Sequence, residues 1–390
     1  MRLTRFSLLI GFFFLSVTVY AQWVCTWAAA AEFTGPGDMP GSPLTDRSLR
    51  EIVHVSVGGQ SMRLRLSNEF SKEPVEIKSI YVADALDSCD INTRTVKYLT
   101  FNGKKKVTVG PGQCATSDVC KYNLKPLQRL SITICYGATP VNATSHRGSR
   151  TTSYLMDGVS KPNKPFATTE RVLHWYNIAA IDVPSNGQQC VAVLGNSITD
   201  GRGSTNDLQN RWPDKMAEAF AKAGCDIAVA NLGIGGNCVV EGGLSEPALK
   251  RFDRDILGQE GVTSVIIFEG VNDIGGSKGR SEQVAKRLIE AYQEMIAKIH
   301  HQGQKVYLAT ITPFGKSFYD DTFFKEAARQ TVNQWIRNNN MADGYLDFDE
   351  LMRDPEHPNQ LRSDLQEDWL HPNAKGYEMM GEYAAKCMMK

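Results

Sequence analysis

Two different hydrophobic patterns divide the chain near residue 185. Before it, short alternations of apolar and polar residues are separated by Gly, Pro and Asn, which is typical of β-strands and turns. Ile52 to Val57, Gly58-Gly59 and Met62 to Leu66 predict a strand, a turn and a strand, and thus a hairpin. We expect residues 22–184 to form a β-sandwich or jelly-roll-like domain. Further strands are predicted at Val75 to Val82, Val96 to Phe101, Lys106 to Val109 and Leu130 to Tyr136.

The second pattern begins after Pro184-Ser185-Asn186-Gly187, which we interpret as a linker. Short apolar strands then alternate with amphipathic segments, and the longest predicted helix runs from Ser281 to His301. This repeated order predicts an α/β domain over residues 185–390, with a mostly parallel sheet covered by helices on both faces. A site in such a domain lies beyond the carboxyl ends of the strands.

The first residues of the chain have the pattern of an export signal. Arg2 and Arg5 precede an apolar run from Ser7 to Val19, and Val19-Tyr20-Ala21 fits a cleavage site. We therefore predict a signal peptide at residues 1–21 and an exported protein, periplasmic or extracellular. An uncleaved membrane anchor is the alternative, but the apolar run is shorter than the ~20 residues of a spanning helix.

The charge balance and the cysteine content limit the partners and ligands that are expected. The 43 basic and 43 acidic residues give a net charge of zero, so neither nucleic acid nor an anionic membrane is expected as a partner. Among the nine cysteines, Cys114 and Cys120 flank a short polar segment and could close a small loop. No Cys and His cluster has metal-ligand spacing, so we predict neither a metal nor a cofactor. The sequence does not define an oligomeric state.

Four short polar segments follow predicted strands, where a site is expected. Taken singly, each has an ordinary explanation: a tight turn, a glycine-rich loop without phosphate-binding spacing, a helix cap, or an Asp and His pair on the surface. The segments are Gly195 to Gly201, Asn231 to Asn237, Gly270 to Asp273, and Asp368 to Pro372.

Together and in this order, the segments resemble the four blocks of the SGNH (GDSL-like) hydrolase superfamily, which centre on Ser, Gly, Asn and His. The resemblance covers residues 190 to 390 and implies a flavodoxin-like parallel sheet. It also implies that Ser197 is the nucleophile of a serine esterase, with His371 as its general base. Asp368 would then hold the imidazole in the required tautomer and stabilise its charged form.

The same resemblance implies an oxyanion hole and includes one departure. The backbone N–H groups of Ser197 and Gly236 and the side-chain amide of Asn272 would bind the oxyanion. Where the family has Gly-Asp-Ser in its first block, this chain has Gly-Asn-Ser, with Asn196 before the nucleophile. Asparagine preserves a turn and its hydrogen bonds but not the charge, so rate and pH behaviour are affected rather than the type of reaction.

The histidine must be chosen between two copies of one pattern. Asp354 to Asn359 repeats the Asp-x-x-His-Pro-Asn motif, with His357 fourteen positions before His371. We favour His371, because Asn373 to Tyr377 leads directly into an amphipathic helix, as the last block of the family does. The first copy lies in a Pro-rich loop without a helix start.

The resemblance implies a carboxylic ester hydrolase that is acetylesterase-like, which in this family means that it removes acetyl groups from polysaccharides or oligosaccharides. The N-terminal part is also similar to that of two-domain SGNH esterases at Thr26 to Ala29, Ser67 to Phe70 and Ser149 to Tyr154. One alternative is a lysophospholipase or thioesterase of the same fold, but the polar loops give no sign of the apolar acyl channel it requires. The other is a non-catalytic carbohydrate-binding protein, against which the presence of all four segments argues.

Overall fold

The computed structural model describes residues 22–319 and 323–389, so the predicted signal peptide at 1–21 lies outside the described residues. The first part of the chain is built from strands, with two short 3-10 helices. The strands are β1 (Trp23–Ala28), β2 (Arg47–His54), β3 (Gly59–Ser67), β4 (Val75–Asp84), β5 (Lys97–Leu99), β6 (Val107–Val109), β7 (Cys114–Thr116), β8 (Cys120–Leu124), β9 (Arg129–Tyr136), β10 (Ser145–His146), β11 (Ser153–Asp157), β12 (Glu170–Val172), β13 (Trp175–Tyr176) and β14 (Ile178–Pro184).

These strands form two larger antiparallel sheets and one small one. The first sheet has the order β1-β14-β3-β7, with β8 also paired to β3. The second has the order β12-β11-β2-β9-β4-β5, with β6 paired to β4, and β10 pairs with β13 alone. Apolar side chains of both larger sheets belong to one continuous core. The predicted antiparallel, strand-rich first part is therefore confirmed.

The predicted hairpin across Gly58-Gly59 is wrong. His54 at the end of β2 pairs with Arg129, whereas Gly59 at the start of β3 pairs with Leu124, so the two strands lie in different sheets. A Cβ atom at Gly58 would lie 2.4 Å from the carbonyl oxygen of Leu124. The glycine there permits close approach of two backbones as the chain crosses between sheets, rather than a two-residue turn.

The second part alternates strands and helices around one sheet. Its strands all run parallel, in the order β16-β15-β17-β18-β19, which is the flavodoxin-like order and confirms the predicted fold class. The elements are β15 (Gln189–Gly195), α1 (Ser197–Asp200), α2 (Trp212–Lys222), β16 (Ile227–Gly233), α3 (Ala248–Phe252), β17 (Ser264–Phe268), α4 (Val271–Gly275), α5 (Ser281–His301), β18 (Lys305–Ala309), α6 (Phe323–Asn338), β19 (Gly344–Leu346), α7 (Phe348–Met352) and α8 (Ala374–Met388).

The two parts are in direct contact. The backbone N–H of Val229 in β16 donates to the Ser56 hydroxyl at 2.9 Å, and the N–H of Cys25 in β1 donates to the Glu260 carbonyl at 2.9 Å. The change from antiparallel to parallel pairing falls between the end of β14 and the start of β15. A domain boundary at residues 184 and 185 stays a prediction.

The cysteines are free thiols. Cys114 in β7 and Cys120 in β8 are not bonded to each other, because both strands pair with β3 at separate positions, opposite Ser67 and Met62. Cys190 is buried within β15. Across residues 22–319 and 323–389, no helix combines the length and hydrophobicity required to cross a bilayer.

Candidate active site

Ser197 stands at a tight exit from the central strand. Strand β15 ends at Gly195, and Asn196 caps the next helix by accepting the N–H of Ile198 at 3.0 Å. Ser197 is the first residue of α1, so no carbonyl of its own helix accepts its N–H. A Cβ at residue 195 would lie 2.1 Å from the Thr199 hydroxyl, so glycine permits this sharp passage from strand to helix.

A chain of hydrogen bonds links Ser197 to the last segment. The hydroxyl oxygen of Ser197 lies 2.9 Å from Nε2 of His371, and Nδ1 of His371 lies 2.8 Å from Asp368 Oδ2. Ser197 and His371 are buried, at 6% and 3% exposure. The structure therefore brings together the three residues predicted as a triad, from opposite ends of the domain sequence.

Asp368 is held in its charged form. Burial alone would raise the pKa of this carboxyl, but hydrogen bonds from the His371 ring and from the backbone N–H groups of His371 and Leu370 lower the pKa well below its usual range. The competing histidine is elsewhere: His357 is 61% exposed and faces Asp354 at 3.7 Å. Only His371 of the two copies lies beside Ser197.

Two of the three predicted oxyanion donors, Gly236 and Asn272, follow β16 and β17. Gly236 has a φ of +67°, and a Cβ there would lie 2.7 Å from the Leu244 side chain, so the position requires glycine. Asn272 in α4 is oriented by two hydrogen bonds, since its Nδ2 donates to the Asn237 carbonyl at 2.6 Å and its Oδ1 accepts the Tyr319 hydroxyl at 2.7 Å. The second N–H of the Asn272 amide is left for a ligand.

These residues open into one cavity of about 930 Å³. Ser197, Gly236, Asn272 and His371 all line it. The first part of the chain supplies another portion of the wall, which sequence reasoning missed. The contributing residues are Glu32, Asp38, Arg147, Gly148, Arg150 and His174.

A buried ion pair joins the two parts beside the nucleophile. Nε2 of His146 lies 2.9 Å from Oδ1 of Asp200, the last residue of α1, and Nδ1 lies 3.0 Å from the Ala30 carbonyl. Because both ring nitrogens face acceptors, both must donate, which makes His146 an imidazolium. Burial opposes this charge, but the hydrogen bond with Asp200 and the charges of Asp200 and Glu32 raise the pKa of His146.

Within the described parts of the chain, no group of three or more His, Cys, Asp or Glu side chains is arranged to hold a metal ion. The site is built from one hydroxyl, one imidazole, one carboxylate and several N–H donors. A flavodoxin-like sheet with such a Ser, His and Asp arrangement at the carboxyl ends of its strands is the architecture that the SGNH resemblance implies.

Comparison with known families agrees with this architecture. Residues 193–379 match the model of the GDSL-like Lipase/Acylhydrolase family. This part of the chain is a domain of that family, which supports a hydrolase acting on esters. No curated protein matches the chain.

Several solved structures are similar to the same half of the chain. A lipase/acylhydrolase from Enterococcus faecalis shares 22% identity, with 52% of this chain and 95% of that chain covered and a TM-score of 0.41. An acetyl xylan esterase shares 23% identity over 51% of this chain and 98% of that one, with a TM-score of 0.39. A GDSL-like lipase from Bacteroides thetaiotaomicron VPI-5482 shares 19% identity over 53% and 90%, with a TM-score of 0.41.

Proposed function

We propose that the protein is a serine carboxylic ester hydrolase that removes acetyl groups from polysaccharides or oligosaccharides. The observation that carries the proposal is the hydrogen-bond chain from Ser197 through His371 to Asp368, with distances of 2.9 Å and 2.8 Å. A serine hydroxyl becomes an effective nucleophile when a positioned base removes its proton, and His371 is in place to do so.

The first half of the proposed reaction is the acylation of Ser197. The Ser197 hydroxyl oxygen attacks the ester carbonyl carbon while Nε2 of His371 takes the hydroxyl proton, and Asp368 stabilises the resulting imidazolium. The carbonyl oxygen becomes an oxyanion that accepts hydrogen bonds from the N–H groups of Ser197, Gly236 and Asn272. When the tetrahedral intermediate collapses, the bond to the alcohol breaks and His371 returns its proton to the departing oxygen.

Deacylation repeats these steps with water. His371 removes a proton from a water molecule, whose oxygen attacks the acyl carbon bound to Ser197. The same donors hold the second oxyanion. Collapse breaks the bond to the Ser197 oxygen, His371 returns a proton to that oxygen, and the carboxylic acid is released.

The character of the cavity supports a small acyl group on a hydroxyl-rich carrier. Charged and polar residues from both parts of the chain are the larger share of the residues that line it, including Arg147, Arg150 and Asp200, and they are interspersed with apolar side chains such as Leu244 and Phe318. Such groups are suited to hydrogen-bonding sugar hydroxyls, whereas a long acyl chain requires a continuous apolar channel. The cavity volume of about 930 Å³ also leaves room for more than one sugar unit.

The test is acetate release by protein lacking residues 1–21. We expect hydrolysis of p-nitrophenyl acetate and of acetylated xylan, and loss of both activities in Ser197→Ala. Ser42→Ala, which changes an exposed serine, is the matched control and should retain activity. Full activity in Ser197→Ala would refute the mechanism, and a wild-type protein that binds glycans but hydrolyses no ester would favour the binding-protein alternative.

Acyl-chain length separates the enzyme alternatives. We expect kcat/KM to be higher for the acetyl than for the octanoyl ester of p-nitrophenol, because a polar cavity gains little from burying added methylene groups. The reverse order would favour the lysophospholipase or thioesterase alternative. A single additional methylene in an apolar pocket is worth about 1 kcal/mol, so a true acyl channel would give a large preference for octanoyl.

We also propose that the protein is exported. This proposal depends on the pattern of residues 1–21 alone, which lie outside the described residues. Fractionation of cells that express the full chain, with N-terminal sequencing of the product, tests it. Export predicts a periplasmic or extracellular protein that begins near Gln22, and retention of an uncleaved chain in the membrane fraction would contradict it.

A further inference from the structure

Two arginines in the cavity lie near carboxylates but are not hydrogen-bonded to them. Nη2 of Arg150 lies 3.6 Å from Asp200 Oδ2, and Nε of Arg202 lies 3.8 Å from Asp368 Oδ2, both beyond hydrogen-bond distance. Nε of Arg150 is buried and has no partner among the described residues. Arg147 in the same wall differs, because its guanidinium donates to Glu32 at 2.7 Å and 3.0 Å. Arg150 and Arg202 therefore retain donors that a ligand can use.

Arg202 lies beside the triad. The loop of Arg202 is fixed to the triad, because its N–H donates to the Ser197 carbonyl at 2.9 Å and a Cβ at Gly203 would lie 2.3 Å from the Pro372 carbonyl. Pro372 directly follows His371, the residue that protonates the leaving alcohol in the proposed mechanism. The proposed mechanism therefore releases the alcohol close to the Arg202 loop.

Arg150 reaches the same wall from the first part of the chain. Its Nη2 lies 3.6 Å from Oδ2 of Asp200, two residues before Arg202. Its backbone has a φ of +48°, a strained conformation for arginine, and its carbonyl accepts the N–H of Asp207 at 2.9 Å. The fold thus maintains an unfavourable backbone conformation that aims a guanidinium at the cavity.

Most carboxylates in this wall are already engaged by other cations. Asp200 faces the His146 ring at 2.9 Å, Asp368 faces the His371 ring at 2.8 Å, and Glu32 accepts from Arg147 at 2.7 Å. Asp38 adds a further carboxylate, 4.0 Å from Arg147. The free donors of Arg150 and Arg202, rather than a net positive charge of the wall, therefore favour an anionic ligand.

We propose that the natural substrate is an acetylated glycan that carries a carboxylate, as in a uronic acid unit, and that Arg150 and Arg202 recognise that carboxylate. Guanidinium groups bind carboxylates through paired, charge-assisted hydrogen bonds, so the arrangement selects an acidic carrier over a neutral one. This inference depends on the proposed esterase function and adds the chemical class of the alcohol to it.

The test compares two substrates that differ only in the carboxylate. They are methyl glucopyranosiduronic acid and methyl glucopyranoside, each with one acetyl group at the same hydroxyl, with each hydroxyl position tested in turn. We expect kcat/KM for acetate release to be at least about tenfold higher for the acid at the preferred position, and this ratio to fall as salt is added. Equal or better hydrolysis of the neutral sugar at every position would overturn the inference.

Variants of Arg150 and Arg202 test whether these residues cause the preference for the acidic sugar. Arg202→Gln changes a side chain that is 60% exposed, so the fold is expected to persist, and Arg150→Gln tests the second guanidinium. Each should move the ratio of acid to neutral kcat/KM toward one. Lys298→Gln removes a cation from α5 that pairs with Asp253 and does not line the cavity, and it should leave the ratio unchanged.

An unchanged ratio in both arginine variants would overturn the role of the arginines. Failure of the inference is distinct from failure of the proposed function. If the wild-type protein hydrolyses p-nitrophenyl acetate but prefers neutral sugars, only the proposed recognition of a carboxylate is contradicted. A protein inactive on every ester contradicts both.

Discussion

Asn196 donates its side-chain N–H to Oε2 of Glu269 at 3.2 Å, and both side chains are only 1% exposed. Burial raises the pKa of Glu269 to about 8, despite the nearby guanidinium of Arg251. Where the family has an acid before its nucleophile, this chain has an amide facing a buried acid. The departure at Asn196 therefore avoids placing two carboxyl groups against each other, and it explains how the first block keeps its geometry.

Asn196→Asp should destabilise the protein, and more so at higher pH. An aspartate still accepts the N–H of Ile198 and keeps the helix cap, but it loses the donor to Glu269 and adds a carboxyl. We expect a loss of roughly 1–3 kcal/mol near neutral pH. Folded wild type already keeps a proton on Glu269 up to its pKa of about 8, and a second carboxyl beside it raises that pKa further, so the loss relative to wild type grows as the pH rises through and above about 8.

Thermal unfolding midpoints measured from about pH 6 to about pH 10 check this sign. Asn196→Ser is the matched control, since serine retains a capping oxygen without adding a carboxyl. Its loss of stability should depend less on pH than that of Asn196→Asp. Parallel curves for the two variants would show that the added carboxyl does not interact with Glu269.

Substitution of the two histidines of the repeated motif should change kcat to very different extents. His371→Ala removes the base beside Ser197, and we expect kcat to fall by at least about 1,000-fold. His357→Ala changes a side chain that is 61% exposed, so kcat and the unfolding midpoint should stay near wild type. The measurement is kcat on p-nitrophenyl acetate for both variants, and a comparable loss in His357→Ala would contradict the assignment of the base.

Asn272 and Tyr319 should act as a unit in oxyanion binding. Asn272→Ala removes a donor from the hole and should lower kcat by roughly 100- to 1,000-fold. Burial raises the pKa of Tyr319 to about 12, so its hydroxyl is a neutral donor that fixes the Asn272 amide at working pH. Tyr319→Phe should therefore lower kcat less, with little change in KM, because it removes only the orientation of the amide.

A double variant distinguishes this coupling from two separate effects. If Tyr319 acts only through Asn272, then Tyr319→Phe should have no further effect on kcat in an Asn272→Ala background. Additive losses in the double variant would mean that Tyr319 contacts the substrate or the fold independently. Single-turnover rates on p-nitrophenyl acetate provide the comparison.

The candidate site was predictable because its residues are tied to local signals. Ser197, Gly236 and Asn272 each follow an apolar strand closely, and a parallel sheet brings the ends of such strands to one edge. His371 precedes a helix whose start is marked by Asn373, which caps it. The order of strands and helices in this part was likewise readable from periodicity alone.

What the sequence did not reveal depends on how distant surfaces meet. No local pattern around His146 indicates that it meets Asp200, because that contact requires the two parts of the chain to be packed together. The sequence around Glu269 likewise does not indicate that this side chain meets Asn196, which follows the neighbouring strand. The false hairpin at Gly58-Gly59 has a related cause: alternation defines strands, but the neighbouring backbone decides which sheet each joins.

The contact between His146 and Asp200 leads to a further prediction, in which His146 positions the nucleophile. Asp200 ends the four-residue helix that begins with Ser197, and it is anchored from the first part of the chain by the His146 imidazolium at 2.9 Å. His146→Gln removes the charge and should lower kcat about ten- to hundredfold, since a small displacement of Ser197 breaks its alignment with His371. The first part of the chain would then contribute to catalysis as well as to the cavity wall.

The pH dependence separates this role from a general loss of packing. The pKa of His146 is raised in the folded protein, so its charge stabilises the fold fully below its ordinary value of about 6.5, and this contribution is lost as the pH rises through the raised pKa. The gap in unfolding midpoint between wild type and His146→Gln should therefore narrow above neutral pH. His300→Gln is the matched control, because His300 meets Asp343 at the same 2.9 Å but is 42% exposed. Its effect on stability should stay below about 1 kcal/mol, with kcat unchanged. A gap for His146→Gln that does not vary with pH would show that the pair carries no charge.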